Sequence, residues 1–238
     1  MNKKLLLNGC SFGKSWPLSK SFIDTLGCSA GINISKIATG FQRTCRSTIE
    51  WIAQNGDPGF VIIPITFSHR IEIPAAQCSK FDNIDGNWIP VQQNGTIPHD
   101  AYDRKRNFVP RVDQENMKRL YQTYHKLVYN TAGHVDKIFT EIILLSAFFE
   151  SRNIPYLMFD MCNDFDEKMV LRHPHINKVK LLTENNKLVK IFDFCGNKYM
   201  QSLIDPNSTH FNYHHAPEQY LELEKYLIDY MKQNNLIV

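Results

Sequence analysis

The sequence predicts an α/β fold: a three-layer, doubly wound and mostly parallel sheet that carries one long irregular insertion. Three observations point there. Residues 60–65 form an almost continuous apolar, β-branched run, the pattern of a strand buried on both faces. Runs of the same kind stand at residues 4–7 and 154–160, and stretches with helical spacing lie between them. From about residue 74 to residue 112 both patterns vanish, and Pro, Gly, Asn and Asp take over with aromatic residues interleaved.

The elements follow in order. Residues 4–7 are the first strand. Leu18, Phe22 and Leu26 recur four apart on one helical face, and Gly27 ends that helix. Residues 32–37 alternate Ile32 and Ile34 with polar neighbours, a second strand. Residues 43–54 read as a helix with Ile49 and Ile52 inward, closed by Asn55-Gly56. Residues 60–65 are the third strand. Within the insertion, Asp85-Gly86 and Asn94-Gly95 are turn signals, and Trp88 to Val91 with Thr96, Ile97 and Pro98 form a small expected hairpin. An irregular segment of this length in a compact domain is usually a lid or a partner surface; a decorative insertion is the plainer alternative. Residues 114–129 and 134–151 are helical by pattern and 154–160 are a strand. Residues 179–182 and 188–192 suggest a hairpin around 183–186. Residues 216–233 are a closing helix striped by Tyr220, Leu223, Leu227 and Tyr230. With no internal repeat, this order implies one domain over residues 1–238 with the insertion at about 74–112.

Composition narrows the function. The chain has 238 residues, 43% hydrophobic and 21% charged, so an ordinary globular core is expected. A net charge of +3 is too small to argue for nucleic acid, and the densest basic patch, Arg104-Lys105-Arg106, reads as a solvated loop. The start, MNKKLLLNG, imitates a signal peptide, but its apolar run stops at Leu7, short of the about 7–15 residues such a segment needs. No apolar stretch reaches the roughly 18 residues of a membrane helix. The six cysteines (Cys10, Cys28, Cys45, Cys78, Cys162, Cys195) contain no C-x-x-C pair and imply free thiols in a reducing, cytoplasmic setting. His214-His215 and His173-Pro174-His175 raise the question of a metal, but no carboxylate or cysteine spacing completes a ligand set. Neither metal nor cofactor is expected.

The chemistry concentrates after the first strand, in Asn8-Gly9-Cys10-Ser11-Phe12-Gly13-Lys14-Ser15. Gly13-Lys14-Ser15 is the tail of a phosphate-binding loop, whose glycines let backbone N–H groups wrap phosphates; this reading makes the protein a nucleotide-binding kinase. Asn8 stands where that loop needs its first glycine, and Asp160 would be the magnesium partner. Gly9-Cys10-Ser11-Phe12-Gly13 is also G-x-S-x-G, a turn that presents a nucleophilic serine. Only ten residues precede Ser11, so the α/β-hydrolase elbow, which needs an upstream oxyanion strand, is excluded. A serine hydroxyl needs a base, commonly a histidine oriented by a carboxylate. Asp205 and His210 share one loop before the last helix. The plainer role for Ser11 is to cap the helix that follows, and Cys10 reads as a small buried filler.

Taken together, these blocks resemble the GDSL/SGNH hydrolase family, whose sheet is flavodoxin-like. Gly9-Cys10-Ser11-Phe12 is similar to its first block and His210-Phe211-Asn212 to its last. Gly40 falls where the second block has its glycine, and Pro64-Ile65-Thr66 falls at the third block, without that block's asparagine. The resemblance covers residues 3–72 and 154–232. It implies Ser11 as nucleophile, His210 as base and Asp205 as the orienting acid, although the usual position three before the histidine holds Asn207. It implies an oxyanion hole from the Ser11 and Gly40 N–H groups and the side chain of Gln42, with Thr66 or Ser68 in place of the absent asparagine. Phe12, Ser68, Arg70 and Trp88 are candidates for the substrate pocket, where an ion pair for Arg70 and core packing for Phe12 are the plainer roles. The implied activity is ester hydrolysis or acyl transfer on a small-molecule or glycan ester. A binding module that kept the fold and lost the chemistry is the alternative.

Overall fold

The computed structural model describes residues 3–36, 39–66, 70–74, 88–91, 119, 122–124, 126–127, 131–162, 173–189, 194–204 and 215–237. In chain order its elements are β1 (Lys4–Leu7), α1 (Ser11–Lys14), α2 (Lys20–Thr25), β2 (Ala30–Asn33), α3 (Phe41–Asn55), β3 (Phe60–Ile65), β4 (Ile71–Pro74), β5 (Trp88–Val91), α4 (Thr131–Ser151), β6 (Tyr156–Asp160), α5 (Ile176–Glu184), α6 (Gly196–Ser202) and α7 (Pro217–Gln233). Four strands form a parallel sheet in the order β2-β1-β3-β6. Leu188 adds a parallel bridge to Met158 beyond β6.

The apolar runs place the strands. Every residue of β3 and β6 is buried, because helices cover both faces of a parallel sheet. Successive side chains alternate faces. Leu5, Leu7, Phe60, Ile62, Leu157 and Phe159 pack in one core with Phe22 of α2 and Leu223 and Leu227 of α7. Leu6, Val61, Ile63, Tyr156 and Met158 pack in the other with Ile52 of α3, Phe139 and Ile142 of α4, and Val179 of α5. Each such side chain contributes about 1.5–3 kcal/mol when fully removed from water. The result is three layers, as the sequence predicts.

Three expectations change. Residues 179–182 belong to the helix α5, not to a hairpin: Ile176, Val179 and Leu182, three apart, share its buried face. Trp88–Val91 pairs antiparallel with Ile71–Pro74, while Thr96 to Pro98 lie outside the described residues. Ile49 is 39% exposed, and the buried face of α3 carries Arg43, Thr44, Ser47 and Thr48 beside Phe41 and Ile52. Of the helix expected over 114–129, residues 119, 122–124 and 126–127 are described, and they are helical. No helix among the described residues is long and apolar enough to cross a membrane.

Candidate functional site

All four parallel strands end on the same edge of the sheet, where ligands of such folds bind. Ser11 follows β1, one of the two inner strands. Gly9 lets the chain pass β3 closely, since a Cβ there would lie 2.6 Å from Pro64 Cγ. The backbone then turns into α1 with Cys10 at the N-cap and Ser11 as the first helical residue. Ser11 is therefore not the cap. It is half-buried, and no hydrogen bond of its hydroxyl is found among the described residues.

The same turn excludes the phosphate-loop geometry. Lys14 N–H donates to Cys10 O (2.9 Å) and Ser15 N–H to Ser11 O (3.2 Å), so these amides close the helix instead of cradling an anion. The Lys14 side chain is exposed.

The closing helix grips this turn. Tyr220 Oη donates to Phe12 O at 2.9 Å. Trp16 Nε1 and Ser19 N–H both donate to the buried carboxylate of Glu224, at 2.8 and 2.9 Å. In the first turn of α7, Gln219 Nε2 donates to His215 Nδ1 (3.1 Å) and to Met200 O (2.7 Å). His215 Nδ1 therefore accepts, and its Nε2–H donates to Asn197 Oδ1. Both nitrogens of His215 are occupied by structural partners, which leaves it no lone pair for a serine proton, although its ring centroid is 6.0 Å from that of Phe12.

Two buried polar clusters flank the end of β1. On the α3 face, Asn8 Nδ2 lies 2.8–3.0 Å from Thr44 O, Ser47 Oγ and Thr48 Oγ1, and Asn8 Oδ1 accepts from Arg43 at 3.0 Å. Arg43 also donates to Ile34 O. On the α7 face, Cys10 is wholly buried, and the Cys162 thiol, the Arg70 charge, the Thr66 hydroxyl and the Phe12 N–H act on its sulfur. Burial pushes the Cys10 thiol up, but these donors and the Arg70 charge outweigh it and bring it down to about 5. Burial and the neighbouring Cys10 charge push Cys162 well above the ordinary thiol range.

The predicted residues distribute as follows. Gly40 is the N-cap of α3 and packs against the backbone of Arg70, where a Cβ would lie 2.6 Å from Arg70 O. Thr66 follows β3 directly and is buried; its hydroxyl accepts from Arg70 (3.3 Å). Gln42 Oε1 accepts from Lys137 Nζ of α4 at 2.8 Å. Phe12 is wholly buried and packs in the core, so it offers no face to an open pocket. Asp205, Ser68 and His210, and the side chain of Trp88, lie outside the described residues. Sequence reasoning missed the roles of Asn8, Cys162 and Glu224. A buried polar stripe on α3, where the pattern asks for apolar residues, was the one signal for the first.

Of the histidines considered for a metal, His173 Nε2 donates to Asp136 Oδ1 at 2.7 Å, and His173 Nδ1 accepts from His175 N–H at 3.1 Å. Among the described residues no group of three His, Cys, Asp or Glu side chains is arranged to hold a metal ion.

No family model matches the chain, and no curated relative does. Solved structures that resemble it are esterases and lipolytic proteins. One, assigned to the lipolytic G-D-S-L family and from Desulfitobacterium hafniense DCB-2, aligns over 96% of this chain and 99% of its own at 14% identity and a TM-score of 0.46. The psychrotrophic esterase EstA from Pseudoalteromonas sp. aligns over 97% of each chain at 11% identity and a TM-score of 0.46. The acetyl xylan esterase Est2A from the rumen bacterium Butyrivibrio proteoclasticus covers 97% of this chain and 64% of its own at 14% identity and a TM-score of 0.42. At 11–14% identity and TM-scores of 0.42–0.46 these likenesses assign no chemistry, which has to come from the chain's own residues.

Proposed function

We propose that this protein is a cytoplasmic serine hydrolase of the SGNH type that cleaves or transfers the acyl group of a small-molecule or glycan ester. One observation carries the proposal: the half-buried Ser11, its hydroxyl without a structural partner among the described residues, stands at the C-terminal end of an inner parallel strand. Ser11 Oγ attacks the ester carbonyl. His210 takes the serine proton and returns it to the leaving alcohol, and Asp205 orients the histidine. The N–H groups of Ser11 and Gly40 and the amide of Gln42 receive the developing oxyanion. Thr66, buried directly after β3, accepts from Arg70 at the same strand end. The insertion at about 74–112 gates access.

A fluorophosphonate probe tests this directly. Wild-type protein should label on Ser11, Ser11→Ala should not, and His210→Ala should label at least about 10²-fold more slowly. Labelling that persists in Ser11→Ala, or a wild-type protein inert to the probe, overturns the proposal. An inert protein would select the second reading, a binding module on the same fold.

A further inference from the structure

Charge is spread unevenly around the serine turn. The segments that leave β1 and β2 contain no Asp or Glu from residue 8 to residue 23 and from residue 34 to residue 49, and the first acid after β3 is Glu72. The same segments carry six basic side chains: Lys14, Lys20, Lys36, Arg43, Arg46 and Arg70. Three of them are engaged locally. Lys20 pairs with Asp24 and Arg46 with Glu50, each one turn along its own helix, and Arg43 is locked between Asn8 and Ile34 O. The other three stand about Ser11. Lys14 lies three residues on in α1, on the same face, and its side chain is exposed. Lys36 follows β2, and its N–H donates at 3.1 Å to the carbonyl of Gly9, two residues before the serine. Arg70 follows β3 and precedes β4.

Arg70 is the most firmly placed of the three. It is half-buried. Its guanidinium donates to Thr66 Oγ1 at 3.3 Å, at the end of an inner strand. Its backbone lies against Gly40, the N-cap of α3, where an added Cβ would meet Arg70 O at 2.6 Å. Its charge also acts on the sulfur of Cys10, the residue before Ser11. The guanidinium thus stands among the end of β1, the end of β3 and the start of α3, which are the places that supply Ser11, Thr66 and the Gly40 N–H. At the end of β6 the edge does hold a carboxylate, Asp160. It is buried, and its Oδ1 accepts from Cys162 N–H at 2.9 Å, so it presents no negative charge to solvent.

We propose that the ester taken at Ser11 is an anion: a carboxylate or phosphate elsewhere on the substrate binds the Arg70 guanidinium, and Lys14 and Lys36 draw it in. This rests on the hydrolase reading above and adds the charge of the substrate to it. A guanidinium carries five N–H donors in a planar fork, enough to hold the Thr66 hydroxyl and still meet two oxygens of one carboxylate or phosphate. Its half-buried position strengthens such a bond, because less water competes there. Lys14 and Lys36 act at longer range. They and the acid-poor segments that carry them hold a positive field over the turn, which raises the local concentration of an anion. A neutral ester gains nothing from that field. Bound through a group remote from the reacting carbonyl, the anion orients the ester toward Ser11.

The test compares esters matched in size and differing in charge, on the full chain. Mono-p-nitrophenyl adipate against p-nitrophenyl hexanoate puts the charge on the acyl side. The acetate ester of meta-hydroxybenzoate against that of meta-hydroxybenzamide puts it on the alcohol side. In at least one pair the anionic ester should have about tenfold or more the kcat/KM of its neutral match. That preference should shrink as ionic strength rises from about 0.01 M to about 0.3 M. It should fall to within about twofold in Arg70→Gln and survive in part in Arg70→Lys, which keeps the charge and loses the fork. Equal or better turnover of the neutral ester in both pairs overturns the proposal, as does a preference that Arg70→Gln leaves intact. The salt series uses wild-type protein alone, so it decides the matter even where Arg70→Gln does not fold: a preference indifferent to salt overturns the proposal. If the protein hydrolyses no ester, calorimetry with two unreactive amides, adipic acid monoanilide and hexananilide, separates the two claims. Anilide binding that favours the anion and weakens in Arg70→Gln keeps the anion site and rejects the hydrolase reading; no such selectivity rejects both.

Discussion

Asn8 and Cys10 stand two residues apart, both fully buried and each serving a different face of the sheet. Their surroundings solve burial in opposite ways. Asn8 is neutral, and its partners come from one neighbouring helix, α3, with the Arg43 guanidinium locked between Asn8 and Ile34 O. Cys10 is ionisable, and its partners come from distant segments: Thr66 after β3, Cys162 after β6, and Arg70. The first arrangement fixes a backbone. The second stores a charge. Ser11 sits directly after both, so the rigidity of its turn and its electrostatic setting have separate sources.

The largest effect should come from breaking the rigid side. Asn8→Ala takes the side-chain amide away from Thr44 O and the Ser47 and Thr48 hydroxyls and removes one acceptor from Arg43, which keeps Ile34 O, and urea unfolding should show a loss of about 2–4 kcal/mol. Next is the grip of the closing helix. Tyr220→Phe removes one buried hydrogen bond to Phe12 O and should cost about 1–2 kcal/mol, with slower probe labelling of Ser11 at unchanged secondary structure. A third effect depends on pH and comes from the charge of Cys10. Its folded thiol titrates near about 5 against an ordinary value of 9.0, so its stabilisation is complete above pH 9, shrinks as pH falls, and is gone below pH 5. Wild-type protein should therefore lose stability relative to Cys10→Ser over that window. A thiolate ultraviolet absorbance titrating near pH 5, absent in Cys10→Ser, would confirm the cause. The opposite contribution from Cys162 falls above pH 9, where a thiol held protonated loses its advantage.

The parts of the fold legible in the sequence were those whose burial leaves a repeating pattern. The run at 60–65 and the stripe of Tyr220, Leu223 and Leu227 appear as expected, because one is buried on both faces and the other on one. Helix α5 was misread because the four residues Val179-Lys180-Leu181-Leu182 are too few to show a period. Its buried Ile176 lay outside the window that suggested a strand. Ile49 was misplaced for a related reason. The inward face of α3 is chosen by hydrogen bonds to Asn8, which hydrophobic spacing cannot register. Around the candidate site, the placement of Ser11 just after a strand and of Gly40 just before a helix was legible from the flanking patterns. The influence of Cys162 on Cys10 was not legible, since topology alone joins residues so far apart.

The bonds from Tyr220 to Phe12 and from Trp16 to Glu224 each span 208 residues. Contacts of such separation are the last a growing chain can make. At about 5–20 residues per second, roughly 10–40 s pass between the emergence of the Ser11 turn and that of the helix that clamps it. During translation the nascent chain can build the α3 face early, with Asn8 and Arg43 in place. Its serine turn waits unclamped until synthesis has passed Glu224, which delays any reactivity of that turn until almost all of the domain exists.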